Sequence, residues 1–275
     1  MTSRALTVTH IIPGDTEVTA VTSLGDDVFV VRAESPQVEV YSAVTFTLQR
    51  RLPVPGLDGS YGLAACASNM CLYASELFGN LIHRVELSGS NAVTQWSVGR
   101  GPVGLTVNSD SVLVVIRYER KLQKFTTRGR LLRTIQLQPD IELRSQVIQL
   151  TSGQFVVSHS GRIQHRVCLV DGKGAVVRRF GGTAGSSLTK MNGPGGLAVD
   201  ENGNSLVADK LNNRLLVLDR SLTSAREMSV SVDEYLVRPS SLWYDKSRGR
   251  LYVGEWWRNR VIIVDHLKHF TATQV

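Results

Sequence analysis

Four carboxylates stand at comparable places along the chain: Glu34, Glu76, Asp209 and Glu255 each close a run of mostly β-branched, aromatic or small residues. Brought round a common axis, such acids would form a ring able to supply the oxygen ligands of a hard divalent cation. Arg117 and His159 hold the same place in two further segments. Arg117 would repel a cation, and a single histidine is too few for an imidazole-rich metal site. A structural role fits better. Asp209 is followed by Asn213 and Arg214, Glu255 by Asn259 and Arg260, and Glu76 by Asn80, so each carboxylate can accept hydrogen bonds from the loop just beyond it. A carboxylate that holds a guanidinium fork and an amide rigidifies its loop. We therefore expect Asp209, Asn213, Arg214, Glu255, Asn259 and Arg260 to brace their segments, with no metal and no cofactor. The alternative is a hydrolase or lyase with a central ion on Glu34, Glu76, Asp209 and Glu255.

No nucleophile with a partner base stands out. His10, His83, His165, His266 and His269 lack catalytic context, and His83 and His165 fall where a packed or surface histidine is the default. There is no Gly-x-Ser-x-Gly elbow. The stretch Gly181-Gly-Thr-Ala-Gly-Ser-Ser-Leu-Thr-Lys190 lacks the Gly-Lys-Ser/Thr ending and strand-to-helix context of a phosphate loop, so it is expected to be a long connection. Cys66, Cys71 and Cys168 cannot all pair and are too few for a disulfide framework, which favours free thiols and a reducing compartment, although Cys66 and Cys71 can face each other across a hairpin. No Cys/His cluster has zinc-ligand spacing. A non-catalytic chain is expected.

Recognition chemistry is easier to find. Trp256 and Trp257 are adjacent and flanked by Arg258 and Arg260. Neighbours in an extended segment point to opposite sides, so the two indoles cannot both enter one core. One reading offers a tryptophan to a partner, as a protein hot spot or a base-stacking platform. The other packs one and shields its neighbour with Arg258.

The elements that must position these residues repeat. Val21, Leu63, Leu105, Val147, Leu197 and Leu242 begin equivalent segments at intervals of 42, 42, 42, 50 and 45 residues. Each segment reads as an apolar run, a polar turn, a β-branched run ending in a polar residue, a short loop and a third alternating strand. Outer strands follow, among them Leu48-Gln-Arg-Arg-Leu-Pro-Val54 and Ala175-Val-Val-Arg-Arg-Phe-Gly181. A period of about 40 to 50 residues with strand-length alternation predicts four-stranded propeller blades. The reading is a single all-β, six-bladed β-propeller spanning 1–275, with blades over about 15–56, 57–99, 100–138, 139–182, 193–231 and 237–270. A strand at 4–13 precedes the first blade and is expected to complete the last one, which removes an open edge.

The fifth blade, Pro194-Gly-Gly-Leu-Ala-Val-Asp-Glu-Asn-Gly-Asn-Ser-Leu-Val-Ala-Asp-Lys-Leu-Asn-Asn-Arg-Leu-Leu-Val-Leu-Asp219, resembles an NHL repeat, and Val253-Gly-Glu-Trp-Trp-Arg-Asn-Arg-Val261 repeats the motif. Blades one to four match loosely and lack the full Asp-x-x-Asn-x-Arg core. The chain looks most like the C-terminal propeller of tripartite-motif (TRIM-NHL) proteins. That resemblance implies a target-selecting domain for RNA or protein, with ubiquitin-ligase chemistry in a separate RING domain that this chain does not contain. Six-bladed lactonases and related hydrolases, which bind a metal on such a ring of strand ends, are the source of the alternative above.

A closed propeller offers its variable loops on two faces. The face with the second-to-third-strand loops and blade connections carries Phe78, Arg100, Arg117, Tyr118, Arg120, Lys121, Arg144, Arg162, Lys190, Lys210, Arg238, Trp256, Trp257 and Arg258 as candidate contacts. The chain has 31 Lys+Arg against 24 Asp+Glu, a net +7. On this face acids and bases nearly balance, except where Arg117, Arg120 and Lys121 gather near Arg100 and Arg144. The rest of the surplus falls on outer strands, at Arg50, Arg51, Arg133, Arg178, Arg179 and Arg226, where charge blunts an edge. A protein partner is expected first and single-stranded RNA second. No apolar run reaches the roughly 18 residues of a membrane span and no signal-peptide core opens the chain. A cytoplasmic, monomeric module without a membrane partner is expected, and the sequence leaves open whether it is excised from a longer protein.

Overall fold

The computed structural model of the chain describes residues 7–141, 143–230 and 235–265, the side chains of 143–145 apart. The ends of the expected segments at 4–6, 231 and 266–270, together with His266 and His269, lie outside the described residues. The chain opens with β1 (Val8–Ile12). Blade one is β2 (Val18–Leu24), β3 (Asp27–Arg32), β4 (Gln37–Ser42) and β5 (Leu48–Pro53), and blade two is β6 (Leu63–Cys66), β7 (Cys71–Glu76), β8 (Leu81–Glu86) and β9 (Val93–Ser97). Blade three is β10 (Pro102–Val107), β11 (Ser111–Ile116), β12 (Lys121–Thr126) and β13 (Leu131–Gln136). Blade four is β14 (Leu143–Gln149), β15 (Phe155–Ser160), β16 (Gln164–Val170) and β17 (Val176–Thr183). Blade five is β18 (Pro194–Val199), β19 (Ser205–Asp209), β20 (Arg214–Leu218) and β21 (Ala225–Met228). The last blade contributes only β22 (Pro239–Asp245), β23 (Arg250–Glu255) and β24 (Val261–Val264). Its fourth strand is β1, in the order β1-β24-β23-β22. The all-β six-bladed propeller closed by the N-terminal strand is the observed architecture.

The continuous apolar runs have a simple cause. Each blade is sandwiched between two others, so side chains that alternate along a strand enter two different cores. In β3, Phe29 and Val31 pack towards blade two while Val28 and Val30 pack towards blade six. In β11, Val112, Val114 and Ile116 face blade two, and Leu113 and Val115 face blade four. Six such inter-blade cores ring the axis. The outer strands have no further blade to cover them, and Leu48–Pro53 and Leu131–Gln136 are largely exposed. Their arginines are partly committed: Arg50 pairs with Asp27 at 2.7 Å and Arg179 with Asp140 at 3.2 Å.

Ring closure rests on more than the strand. Ile12 is fully buried, worth about 1.5–3 kcal/mol by itself. Arg32, at the end of β3, donates to Thr16 O (3.0 Å) and Pro13 O (3.1 Å) in the segment joining β1 to β2, and to Asn259 O (2.9 Å) in blade six. Its Nε donates to Glu39 at 2.6 Å. Gly14 lies against this guanidinium, where an added Cβ would meet the Arg32 Cζ at 2.0 Å. One buried side chain thus ties the first blade, the closing segment and the last blade together.

Candidate functional site

The innermost strands β2, β6, β10, β14, β18 and β22 surround the axis and are hydrogen-bonded within their sheets on one side only. Their free edges therefore face a central channel. Some of the exposed backbone groups are taken by side chains of neighbouring blades: Val21 N–H donates to Ser241 Oγ (3.1 Å) and Leu197 N–H to Gln146 Oε1 (2.8 Å). Two cavities occupy the channel, of about 330 Å³ and about 390 Å³. Leu63, Leu105 and Gln146 border both and form a waist between them.

The acids expected to close the second strands do not form one ring. Pairing in register with the inner strands puts Arg32, Glu76, Ile116, His159, Asp209 and Glu255 at equivalent places, two residues beyond Val30, Ala74, Val114, Val157, Val207 and Val253. Glu34 is two residues too late; it is exposed in a turn with a left-handed φ of 57°. Arg117 is one residue past its strand. The remaining acids are already partnered. Among the described residues no three metal-ligating side chains cluster, so the set Glu34, Glu76, Asp209 and Glu255 has no common centre.

Asp209 is fully buried and accepts from Arg214 Nε (2.8 Å), Asn212 Nδ2 (2.8 Å) and the Asn192 amide (2.6 Å). Arg214 places its other N–H groups on Ser186 O, Glu227, Ser187 O and Lys190 O, so all five donors are used and the stretch after Thr183 is clamped as a connection. In blade six, Glu255 accepts from Arg260 Nε and from the Val237 amide. In blade two, Glu76 meets His83 Nε2 at 2.7 Å with both side chains buried. An added Cβ at Gly79 would meet Glu76 Oε1 at 2.2 Å. Blade one carries the same device with its charges exchanged, Arg32 on the second strand and Glu39 on the third.

The asparagines act differently from the expectation. Asn213 and Asn259 do not hold their own carboxylates. Both sit at positive φ, 54° and 53°, which turns their amides outwards to the next blade connection. Asn213 Oδ1 accepts from Arg238 N (2.9 Å), and Asn259 Nδ2 donates to Asp15 O (2.9 Å). Asn80 repeats the pattern on Gly101 N (2.8 Å). These residues stitch blade to blade, and the preceding Asn212 is the one that reaches Asp209.

The mouth of the first cavity opens on the face with the second-to-third-strand loops. Lys210, Leu211, Arg238, Tyr61 and Trp256 line it, together with Ser160, Gly193 and Ser240. Lys210 Nζ lies 4.4 Å from the Trp256 ring centroid. Tyr61 lies nearly parallel to Trp256 with centroids 6.2 Å apart. The Arg238 guanidinium sits 3.7 Å from the Trp257 ring and Arg258 4.0 Å from that of Tyr235. Trp256 is half-buried and Trp257 is 61% exposed. Burial, and then the nearby Arg238 charge, hold the Lys210 amine below its usual range. No described carboxylate pairs with Lys210 or Arg238.

Around this mouth the loop tips are apolar. Phe78, Tyr118, Ile163, Leu211 and Trp257 project from the second-to-third-strand loops of five successive blades, and Tyr61, Leu188 and Tyr235 from the connections. Of the fourteen exposed large hydrophobic residues among those described, these eight share one face, four lie on outer strands and only Val44 and Met70 are on the opposite face. The basic sector on blade three is less free than its composition suggested. Lys121 is paired with Glu119, whose carboxyl is held below the usual range by Lys121 and the Arg100 amide. Arg120 donates to Pro139 O (3.2 Å), Arg117 lies 5.4 Å from the Tyr118 ring, and Arg100 and Arg162 are exposed. The Arg144 side chain lies outside the described residues.

Other polar candidates serve packing. Gly193 N–H donates to His165 Nδ1 (2.9 Å), and His10 lies against Phe46. The three cysteines are buried free thiols, Cys66 and Cys71 facing each other in register. Burial raises the Cys168 thiol to about 11.

No protein-family model and no curated protein sequence matches the chain. Its shape does find relatives. A protein of unknown function from Bacteroides thetaiotaomicron superposes with a TM-score of 0.73 at 15% identity, over 91% of this chain and 69% of that one. The hydrazine synthase of Kuenenia stuttgartiensis gives 0.68 at 15% identity, over 93% and 97%. The virginiamycin B lyase of Staphylococcus aureus gives 0.67 at 11%, over 94% and 98%. At these identities the likeness is one of fold.

Proposed function

We propose that the chain is a non-catalytic recognition module that binds a protein partner on the face carrying the second-to-third-strand loops. The observation that carries this reading is the segregation of exposed apolar residues, eight on the loop face against two on the opposite one. Exposing Phe78, Tyr118, Ile163, Leu211 and Trp257 on one rim costs solubility unless a partner covers them. Aromatic residues beside arginines, as in Trp257 with Arg238 and Tyr235 with Arg258, are the composition of interface hot spots. The resemblance of blades five and six to NHL repeats points the same way, towards a target-selecting propeller of TRIM-NHL type.

The acids that a metal-dependent hydrolase or lyase would need support the non-catalytic reading. Asp209 and Glu255 are bound to arginines, Glu76 to His83, and Glu34 faces solvent. Single-stranded RNA is the second reading, favoured by Arg117 over Tyr118 beside the exposed Arg100. Neutralisation of Lys121 by Glu119 weakens it.

The test is affinity capture by the wild-type chain and by the Phe78→Ala/Trp257→Ala double variant, read by quantitative mass spectrometry with and without nuclease. A protein that the wild type retains, that nuclease does not release, and that the variant loses at least about thirtyfold is expected. Partners retained equally by both proteins, or released by nuclease, would refute the reading.

A further inference from the structure

The mouth of the channel combines features that the bracing network does not share. Each arginine of that network faces a carboxylate: Arg32 faces Glu39, Arg214 Asp209 and Arg260 Glu255. Lys210 and Arg238 do not. They border one cavity and have no described carboxylate as counter-ion, and burial with the nearby Arg238 charge holds the Lys210 amine below its usual range. Two like charges in a partly desolvated recess oppose folding unless something else compensates them. The indole of Trp256 under Lys210 gives partial relief through its negative face. Among the described residues no anion completes the recess.

We propose that the channel mouth is a carboxylate pocket, in which Lys210 and Arg238 hold an acidic side chain or C-terminal carboxylate of the protein partner at the rim formed by Trp256 and Tyr61. This proposal rests on the reading of the loop face as a protein-binding surface. Three aspects of the site fit a peptide carboxylate. The recess of about 330 Å³ accommodates one or two side chains rather than a folded element. It lies inside the apolar rim made by Leu211, Tyr61 and Trp257, so a segment lying on the rim can lower one residue into it. The Ser160 hydroxyl on its wall is able to add a donor to an oxyanion held by the two cations, whereas the Ser240 hydroxyl is committed to Val18 O and Gly254 O. Lys210 approaches from blade five and Arg238 from the connection to blade six. Asn213 ties the two segments by accepting from the Arg238 amide, which fixes the spacing of the cations without an ion pair.

The experiment uses the full chain and an array of peptides carrying one Asp or Glu among apolar residues, each matched by its Asn or Gln counterpart. Wild-type protein is expected to bind a subset of the acidic peptides at least about tenfold better than their amide forms. Lys210→Met/Arg238→Met should erase that preference and leave the residual affinity for the amide forms. Trp257→Ala should weaken acidic and amide peptides together. Free succinate should compete only at concentrations far above the peptide Kd. The proposal is overturned if acidic and amide peptides bind alike, if no peptide binds, if the double variant keeps its preference, or if succinate binds as tightly as the peptides. A partner retained through Trp257 with no effect of Lys210 and Arg238 would remove the pocket and leave the recognition face standing.

Discussion

The Lys210 ammonium rests 4.4 Å from the centroid of the Trp256 indole, at the mouth of a channel that the like charge of Arg238 also borders. This pair is separated by 46 positions in the sequence and joins blades five and six. Around it the molecule exposes aromatic and aliphatic loop tips, while behind it the strand-end acids Asp209 and Glu255 are bound to arginines and Glu76 to His83. Bracing ion pairs and exposed apolar tips are thus divided by depth along the same face.

Lys210 should titrate below the ordinary lysine value. Burial comes first among the causes and Arg238 second, so Arg238→Met should raise its pKa part of the way towards the ordinary lysine value. A group whose folded pKa lies below its unfolded one releases its proton first in the native state. Its penalty on folding is therefore present at neutral pH and fades as pH rises through the folded value. NMR titration of the lysine side chains reads both effects directly.

Closure of the ring depends on Arg32. Arg32→Met removes the donors to Thr16, Pro13 and Asn259 and leaves Glu39 without its 2.6 Å partner. A loss of about 3–5 kcal/mol is expected for breaking such a buried pair. Urea unfolding of the variant, beside a truncation that removes β1, should show both far less stable than the wild type; an unchanged midpoint for either would exclude the closure described.

Blade five should show strong coupling between Asp209 and Arg214. Asp209→Asn leaves a buried guanidinium with one donor unmet, and Arg214→Met leaves a buried carboxylate and the free carbonyls of Ser186, Ser187 and Lys190. Each single change should cost about 3–5 kcal/mol. The double change should cost clearly less than the sum, giving a coupling on the order of 1–3 kcal/mol in a double-mutant cycle.

Stability should fall with acid. Burial alone would raise the Asp245 carboxyl, but hydrogen bonds from Ser247, the Arg248 amide and Ser23, with the Arg248 charge, outweigh it and hold the group below its usual range. A depressed folded pKa stabilises the fold above the unfolded value of about 3.9 and ceases to do so as pH drops through the folded value. Ser23 belongs to blade one and Asp245 to blade six, so the seam is again involved. Asp245→Asn should lower stability at pH 7 and flatten its dependence below about pH 4.

Much of the architecture was legible because the period of about 42 residues and the two-fold alternation of side chains are properties of the chain itself. Adjacent Trp256 and Trp257 likewise showed that the two indoles could not share one core, but left open whether the second was offered or shielded by Arg258. Register within a blade was harder. In Val-Phe-Val-Val-Arg-Ala-Glu34 both Arg32 and Glu34 can close the strand by pattern, and only pairing of Val21 with Val30 selects Arg32. The exchange of charges between Arg32 and Glu39 hid blade one's brace from a search for acids. Asn213 was assigned to its own loop because sequence proximity favours it, whereas its positive φ aims the amide at Arg238. The meeting of Tyr61, Lys210, Arg238 and Trp256 has no local signal at all, since it is made by closing the ring.

The claim that the loop face is the recognition surface is tested most directly by site-specific photo-crosslinking in the cells that express the chain. One protein carries the photoreactive residue at Trp257 and another at Val44, which is equally accessible on the opposite face. A protein adduct that forms from position 257, resists nuclease and is absent from position 44 is the predicted result. Adducts from position 44 alone, or equally from both, would contradict it.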